Sequence, residues 1–216
     1  MIYTIGDSFT YGDELESREQ AWPAILSKLI DKPVVNKGRP ATGNTRMVKR
    51  AIDAVIDQAE MIVIGWSDCN RQEFADEIGI YDIWAGRNFQ AFQLQDPTHR
   101  VNLIKYITAY YDTPEYYYAD WLRKIILVQS LCKLHNIPCI MFIACGANIS
   151  HQHYHNKFQH LVNQIDKSMF VDDMFTSVAE WCYGTPYGPN GHPLEAGHEI
   201  IANKIHDHIR NIGRVS

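Results

Sequence analysis

An α/β fold around a parallel sheet is predicted by three features of the sequence. Short apolar runs alternate with longer segments of helical periodicity, which is the pattern of successive βαβ units. The run Met61 to Gly65 is apolar without a break, as expected of a strand covered on both faces. The turn after the first apolar run, Gly6-Asp7-Ser8, passes at once towards a helical segment, as at the ligand-binding edge of an open sheet.

Each element follows in order. Met1 to Ile5 reads as strand one. Residues 17 to 30 read as a helix, with Trp22, Ile25, Leu26 and Leu29 on one face. Val34 and Val35 make a short second strand that stops at Asn36. Residues 44 to 58 read as a helix with Met47, Val48, Ala51, Val55 and Ile56 inward and Asn44 as N-cap. Met61 to Gly65 is the third strand. A helix near residues 116 to 135 has Trp121, Ile125, Val128 and Cys132 on one face, and Ile137 to Ala144 is the fourth strand. Residues 155 to 167 look helical, Phe170 and Val171 make a fifth strand, and residues 194 to 210 form the last helix.

The stretch from about 70 to 115 breaks this rhythm. Phe74, Tyr81, Trp84, Phe89, Phe92, Tyr106, Tyr110 and Tyr111 lie among polar residues without a clean period. An unstructured loop of that length is unusual inside a domain, so the stretch is expected to be an insertion with short helices of its own. Its rings serve either as stacking platforms for a substrate or as a satellite core. Residues 1–216 suit one domain carrying that insertion.

The charge balance excludes some partners. Twenty Lys and Arg against 25 Asp and Glu leave a net charge of −5. A mildly acidic chain has no broad attraction for nucleic acid or anionic lipid. No stretch approaches the roughly 18 apolar residues of a membrane span. The five cysteines form no C-x-x-C pair, Met1 leads directly into a strand, and a cytoplasmic location is the expectation. His151, His153, His155 and His160 have no cysteine or carboxylate beside them in sequence, and they read as surface histidines with no metal. Gly38 to Thr45 spells G-x-x-x-x-G-N-T, but Asn44 stands where a phosphate loop needs lysine.

Two segments carry potential chemistry. Ser8 sits on a strand-to-helix turn, where its hydroxyl can project above the sheet edge. His192, in Gly191-His192-Pro193, precedes the last helix and is pinned by the proline. Histidine is the usual base for an unreactive serine hydroxyl because its pKa lies near neutrality. His198, inside the helical pattern of Leu194, Ile201 and Ile205, is expected to help that helix pack.

Together these blocks resemble the SGNH (GDSL-like) hydrolases, whose nucleophile follows strand one in a G-D-S block and whose base lies in an H-P block near the C-terminus. Ala21-Trp22-Pro23-Ala24 resembles the A-W-P stretch of that family. Asn36-x-Gly38 followed by Thr42-Gly43-Asn44-Thr45 resembles its second block, with two extra residues inside. The resemblance implies a three-layer α/β/α sandwich with a parallel five-stranded, flavodoxin-like sheet. It also implies a serine esterase without a cofactor, acting on an O-acetyl carbohydrate or small acyl ester through Ser8 and His192. The oxyanion would be held by Ser8, Gly43 and Ser67, with Asp7, Asp68 and Asn190 in support. A non-catalytic carbohydrate- or protein-binding module on the same fold is the rival reading.

Two positions depart from the family pattern. Gly65-Trp66-Ser67-Asp68 replaces G-x-N-D, so a serine hydroxyl stands where an asparagine amide normally meets the oxyanion, with Asn70 a nearby alternative. Pro189 occupies the position of the triad aspartate, three residues before His192. A backbone carbonyl of the 186 to 190 loop, or the Asn190 side chain, is then expected to accept the Nδ1 proton, leaving a catalytic dyad.

Overall fold

The computed structural model describes residues 1–75, 80–84, 114–146 and 154–213. Four parallel strands form the sheet in the order β2-β1-β3-β6: β1 (Ile2–Ile5), β2 (Val34–Asn36), β3 (Met61–Trp66) and β6 (Cys139–Ile143). Five strands were expected. Phe170 and Val171 reach β6 through one parallel bridge, Met141 to Phe170, with the Val171 N–H donating to the Met141 carbonyl at 2.9 Å. One bridge does not extend into a ladder, so the fifth strand is vestigial among the described residues.

Alternation along the strands divides the core in two. Tyr3, Ile5, Ile62, Ile64, Met141 and Ile143 face one way, against Met47 and Ala51 of α3 (Asn44–Ile56) and Trp121, Leu122 and Ile125 of α4 (Pro114–Leu134). Ile2, Val63, Ile140 and Phe142 face the other way, against Trp22 and Leu26 of α2 (Trp22–Ile30) and Ile201 and Ile205 of α7 (Glu195–Ile212). Side chains of successive strand residues point to opposite faces, so central strands that are apolar throughout require helices on both sides. The result is the expected α/β/α sandwich. Trp22 meets Phe142 edge-on, with ring centroids 5.6 Å apart, a favoured aromatic geometry.

Several local expectations shift. The helix read from residue 17 is split: a 3-10 turn at Arg18–Gln20 ends at Ala21, and α2 starts at Trp22 with Pro23 in its first turn. Proline is tolerated there because the N–H it lacks would have no intrahelical partner. Leu29 is exposed, as is Ile56, because each lies beyond the stripe its helix buries. The helix expected over 155 to 167 shrinks to α5 (Gln159–Val162). A further short helix, α6 (Val178–Trp181), packs under α7. The aromatic insertion begins as a hairpin and not as helices, with β4 (Arg71–Ala75) antiparallel to β5 (Ile80–Trp84). Its other rings, including Phe89 and Phe92, lie outside the described residues.

No helix among the described residues is long and apolar enough to cross a membrane. None of their His, Cys, Asp and Glu side chains group to hold a metal ion. His155 instead packs edge-on against Phe175, 5.0 Å between centroids, and burial lowers its pKa. His151 and His153 lie outside the described residues. Cys132, Cys139 and Cys182 are buried free thiols, Cys69 is also buried, and Cys145 is half-buried.

Candidate active site

The sheet order brings three turns together at the carboxyl ends of the strands: the one after β1 carrying Ser8, the one after β2 leading to Gly43, and the one after β3 carrying Ser67. Ser8 opens α1 (Ser8–Tyr11), a single helical turn whose N-cap is Asp7. The Asp7 carboxylate accepts the Phe9 N–H at 3.1 Å through one oxygen. Aspartate at an N-cap satisfies an otherwise orphaned donor. Gly6 allows this tight exit from the strand: a Cβ there would lie 2.0 Å from Thr10 Oγ1.

The second block grips the same turn. Asn36 donates its amide to the Thr10 carbonyl at 2.9 Å and accepts the Gly38 N–H at 2.8 Å. The Arg39 N–H donates to the Gly6 carbonyl at 3.1 Å. Gly38 sits so close to α1 that a Cβ would lie 2.4 Å from the Tyr11 nitrogen. Gly43, not Asn44, is the N-cap of α3, in an extended conformation. That places its N–H at the positive end of a 13-residue helix, a favourable place for developing negative charge.

Asn44 occupies the first helical position and ties its turn to that of β3. Its amide donates to the Ser67 and Asp68 carbonyls at 3.2 and 2.9 Å, and its oxygen accepts the Ser67 N–H at 3.1 Å. Ser67 does not fit the oxyanion role expected of it. It is fully buried, and its hydroxyl donates to Asp7 Oδ2 at 2.8 Å, which uses its one proton. Asp68 shapes this turn by accepting the Asn70 N–H at 2.8 Å. Beneath the turn, Arg71 reaches Asp7 Oδ2 at 3.2 Å and the Thr42 carbonyl at 3.4 Å. This ion pair is almost wholly removed from solvent, and Arg71 had no motif to announce it.

The loop that carries His192 is folded tightly. The Gly188 N–H donates to the His192 carbonyl at 2.8 Å, the Gly191 N–H to the Gly188 carbonyl at 3.0 Å, and Gly191 has a φ of 82°. Left-handed φ is natural for glycine and strained for other residues. The His192 ring lies edge-on to Phe9, the neighbour of Ser8, with centroids 5.5 Å apart.

The acceptor expected at His192 Nδ1, a carbonyl of the 186 to 190 loop or the Asn190 side chain, is not the one found, because a carboxylate meets the ring. Glu14 Oε2 lies 2.7 Å from His192 Nδ1 and also accepts the His192 backbone N–H at 3.1 Å. Asn190 does not support the ring. It donates its backbone N–H and its amide to Glu14 Oε1 at 2.9 and 3.1 Å. Burial of the Glu14 carboxyl favours the neutral form, but the Asn190 N–H and the two His192 donors outweigh it and lower its pKa. Glu14 comes six positions after Ser8 and 178 residues before its partner. The one sequence signal was indirect, since Pro189 left the acid position unfilled.

His198 is the buried histidine behind this site. Its Nδ1 accepts the Trp22 N–H at 3.1 Å, capping α2 where Ala21 provides no side-chain cap. Protonating Nδ1 would set two donors against each other. Burial, together with the His192 and Arg18 charges, pushes its pKa down to about 4. The unfolded chain protonates near the ordinary histidine value of about 6.5, so the folded state binds fewer protons between those values. The stability is whole above about 6.5 and is lost as pH falls towards 4, by about 3 kcal/mol in all. Urea unfolding at pH 7 and pH 4.5 should therefore show a steeper acid loss in wild type than in His198→Leu. Equal losses in the two proteins would refute this reading of His198.

The fold and these turns define a class. The chain has the fold of the G-D-S-L lipolytic esterases. A lipolytic protein of the G-D-S-L family from Desulfitobacterium hafniense superposes with a TM-score of 0.57 at 13% identity, covering 96% of this chain and 98% of that one. TesA superposes with a TM-score of 0.59 at 13% identity, covering 97% and 98%. The acetyl xylan esterase AlAXEase gives 0.52 at 12% identity, covering 95% and 98%. No curated protein matches the sequence. The chain itself belongs to a family of unknown function, DUF6071, whose model matches residues 11–216.

Proposed function

We propose that this chain is a serine esterase in which Ser8 is the nucleophile and His192 the base. The observation that carries the reading is the His192 ring packed against Phe9, beside a serine at the carboxyl edge of a G-D-S-L esterase sheet. With Nδ1 engaged by Glu14, Nε2 is the nitrogen left to work on Ser8. It takes the Oγ proton as the serine oxygen bonds to the ester carbonyl carbon. The carbonyl oxygen becomes an oxyanion facing the N–H groups of Ser8 and Gly43. Collapse expels the alcohol, which takes the proton back from His192 and leaves an acyl-serine. Water, deprotonated by His192, then releases the acid and restores Ser8.

The substrate class we propose is an O-acetyl carbohydrate or a small acyl ester, and the superposition with an acetyl xylan esterase supports it. Wild type should turn over p-nitrophenyl acetate and be labelled by a fluorophosphonate probe, whereas Ser8→Ala should do neither. A wild type inert to both reagents would leave the binding-module reading in possession of the fold.

A further inference from the structure

Resting on that esterase reading, we infer that Glu14 is the positioning acid of His192, a carboxylate moved from the base loop onto the nucleophile's own segment. Four donors converge on it. One carboxylate oxygen takes the Asn190 backbone N–H and side-chain amide; the other takes the His192 backbone N–H and ring Nδ1. The loop that carries aspartate in related folds here presents N–H groups to a carboxylate arriving from outside. Pro189 fits that inversion, since it contributes neither an acid nor an N–H.

The chain accepts local constraints to keep this arrangement. Glu14 has a φ of 67°, left-handed backbone that is costly for a side chain other than glycine, asparagine or aspartate. Gly188 leaves room for the carboxylate, because a Cβ there would lie 2.6 Å from Glu14 Cδ. The other acids that could have served are engaged elsewhere. Asp172 pairs with Lys204 at 2.7 Å, and Asp173 accepts the Phe175 and Thr176 N–H groups at 2.6 and 2.7 Å. An anion at Nδ1 fixes the tautomer with Nε2 unprotonated and stabilises the imidazolium formed during attack. The working order along the chain is thus Ser8, Glu14, His192, with nucleophile and acid on one short segment.

The test uses the full chain and p-nitrophenyl acetate, with kcat expressed per folded molecule. Glu14→Gln keeps the shape and removes the charge. It should lower kcat by about a thousandfold while KM stays within about threefold. Adding Pro189→Asp in the Glu14→Gln background should raise kcat at least about tenfold, by restoring an acid to the vacated position. A second readout does not need turnover. The low-field ring N–H proton of His192 should appear in the NMR spectra of wild type and Ser8→Ala, and be lost in Glu14→Gln. The inference is overturned if Glu14→Gln retains kcat within about threefold of an active wild type, or if the low-field signal survives the substitution. An inert wild type that still shows the Glu14-dependent signal would sink the esterase reading and leave the Glu14–His192 pairing standing.

Discussion

His192→Ala should lose several orders of magnitude in kcat and keep most of its melting temperature, and His198→Ala should do the opposite. The two histidines lie six positions apart and meet different environments. The His192 ring is partly exposed and sits in a loop, bonded to Glu14 and packed on Phe9. Its removal leaves the Glu14 carboxylate with the Asn190 and His192 N–H groups still in place, so the loop keeps most of its bonds. His198 is wholly buried within α7, and its Nδ1 is the acceptor for the first N–H of α2. Its removal leaves a cavity and an unsatisfied buried donor, about 2–4 kcal/mol together. For a chain of this size that is roughly 5–15 °C in melting temperature. The measurement is kcat alongside calorimetric Tm for both variants. Should folded His198→Ala lose more activity than His192→Ala, the roles would have to be exchanged.

Arg71→Met should be the most destabilising single change at the site. Asp7 is fully buried, and its Oδ2 rests on Arg71 and Ser67. Removing the cation leaves a buried carboxylate facing only neutral donors, the Ser67 hydroxyl and the Phe9 N–H. Breaking one side of a buried ion pair typically costs about 3–5 kcal/mol, whereas replacing both partners can be close to neutral. The Asp7→Asn/Arg71→Met double variant should therefore recover much of the loss, which a double-mutant cycle in urea would resolve. A loss below about 1 kcal/mol for Arg71→Met would mean the pair does not hold the turn.

The Arg71 pair also changes the reading of the insertion. The stretch that breaks the sequence's rhythm, expected as an insertion, begins with a residue locked under the Ser8 turn. Two positions on, Glu73 pairs with Arg46 of α3 at 3.3 Å, both side chains largely buried. The base of the insertion is part of the sandwich.

What the sequence determined by itself was the periodic and the local. Unbroken apolar runs at Met61 to Gly65 and Ile137 to Ala144 can be satisfied only between two helical layers, so the sandwich was legible. Trp121, Ile125, Val128 and Cys132 repeat at helical spacing, and all four are buried. Gly6-Asp7-Ser8 is a turn whose conformation depends on neighbours within a few positions, and the Asn36-x-Gly38 and Thr42-Gly43 blocks mark where backbones approach closely. Tertiary structure decided everything that depends on partners far apart in sequence. Asn44 looked like a cap, yet its amide is spent on the β3 turn. Ser67 looked like an oxyanion donor, yet its hydroxyl donates to Asp7. Glu14 and Arg71 carried no signal, because a side chain's hydrogen-bond partner is set by which turns the parallel sheet places side by side. Nothing within a few residues of Glu14 records a histidine 178 positions away; only the closure of the fold brings the carboxylate to the ring.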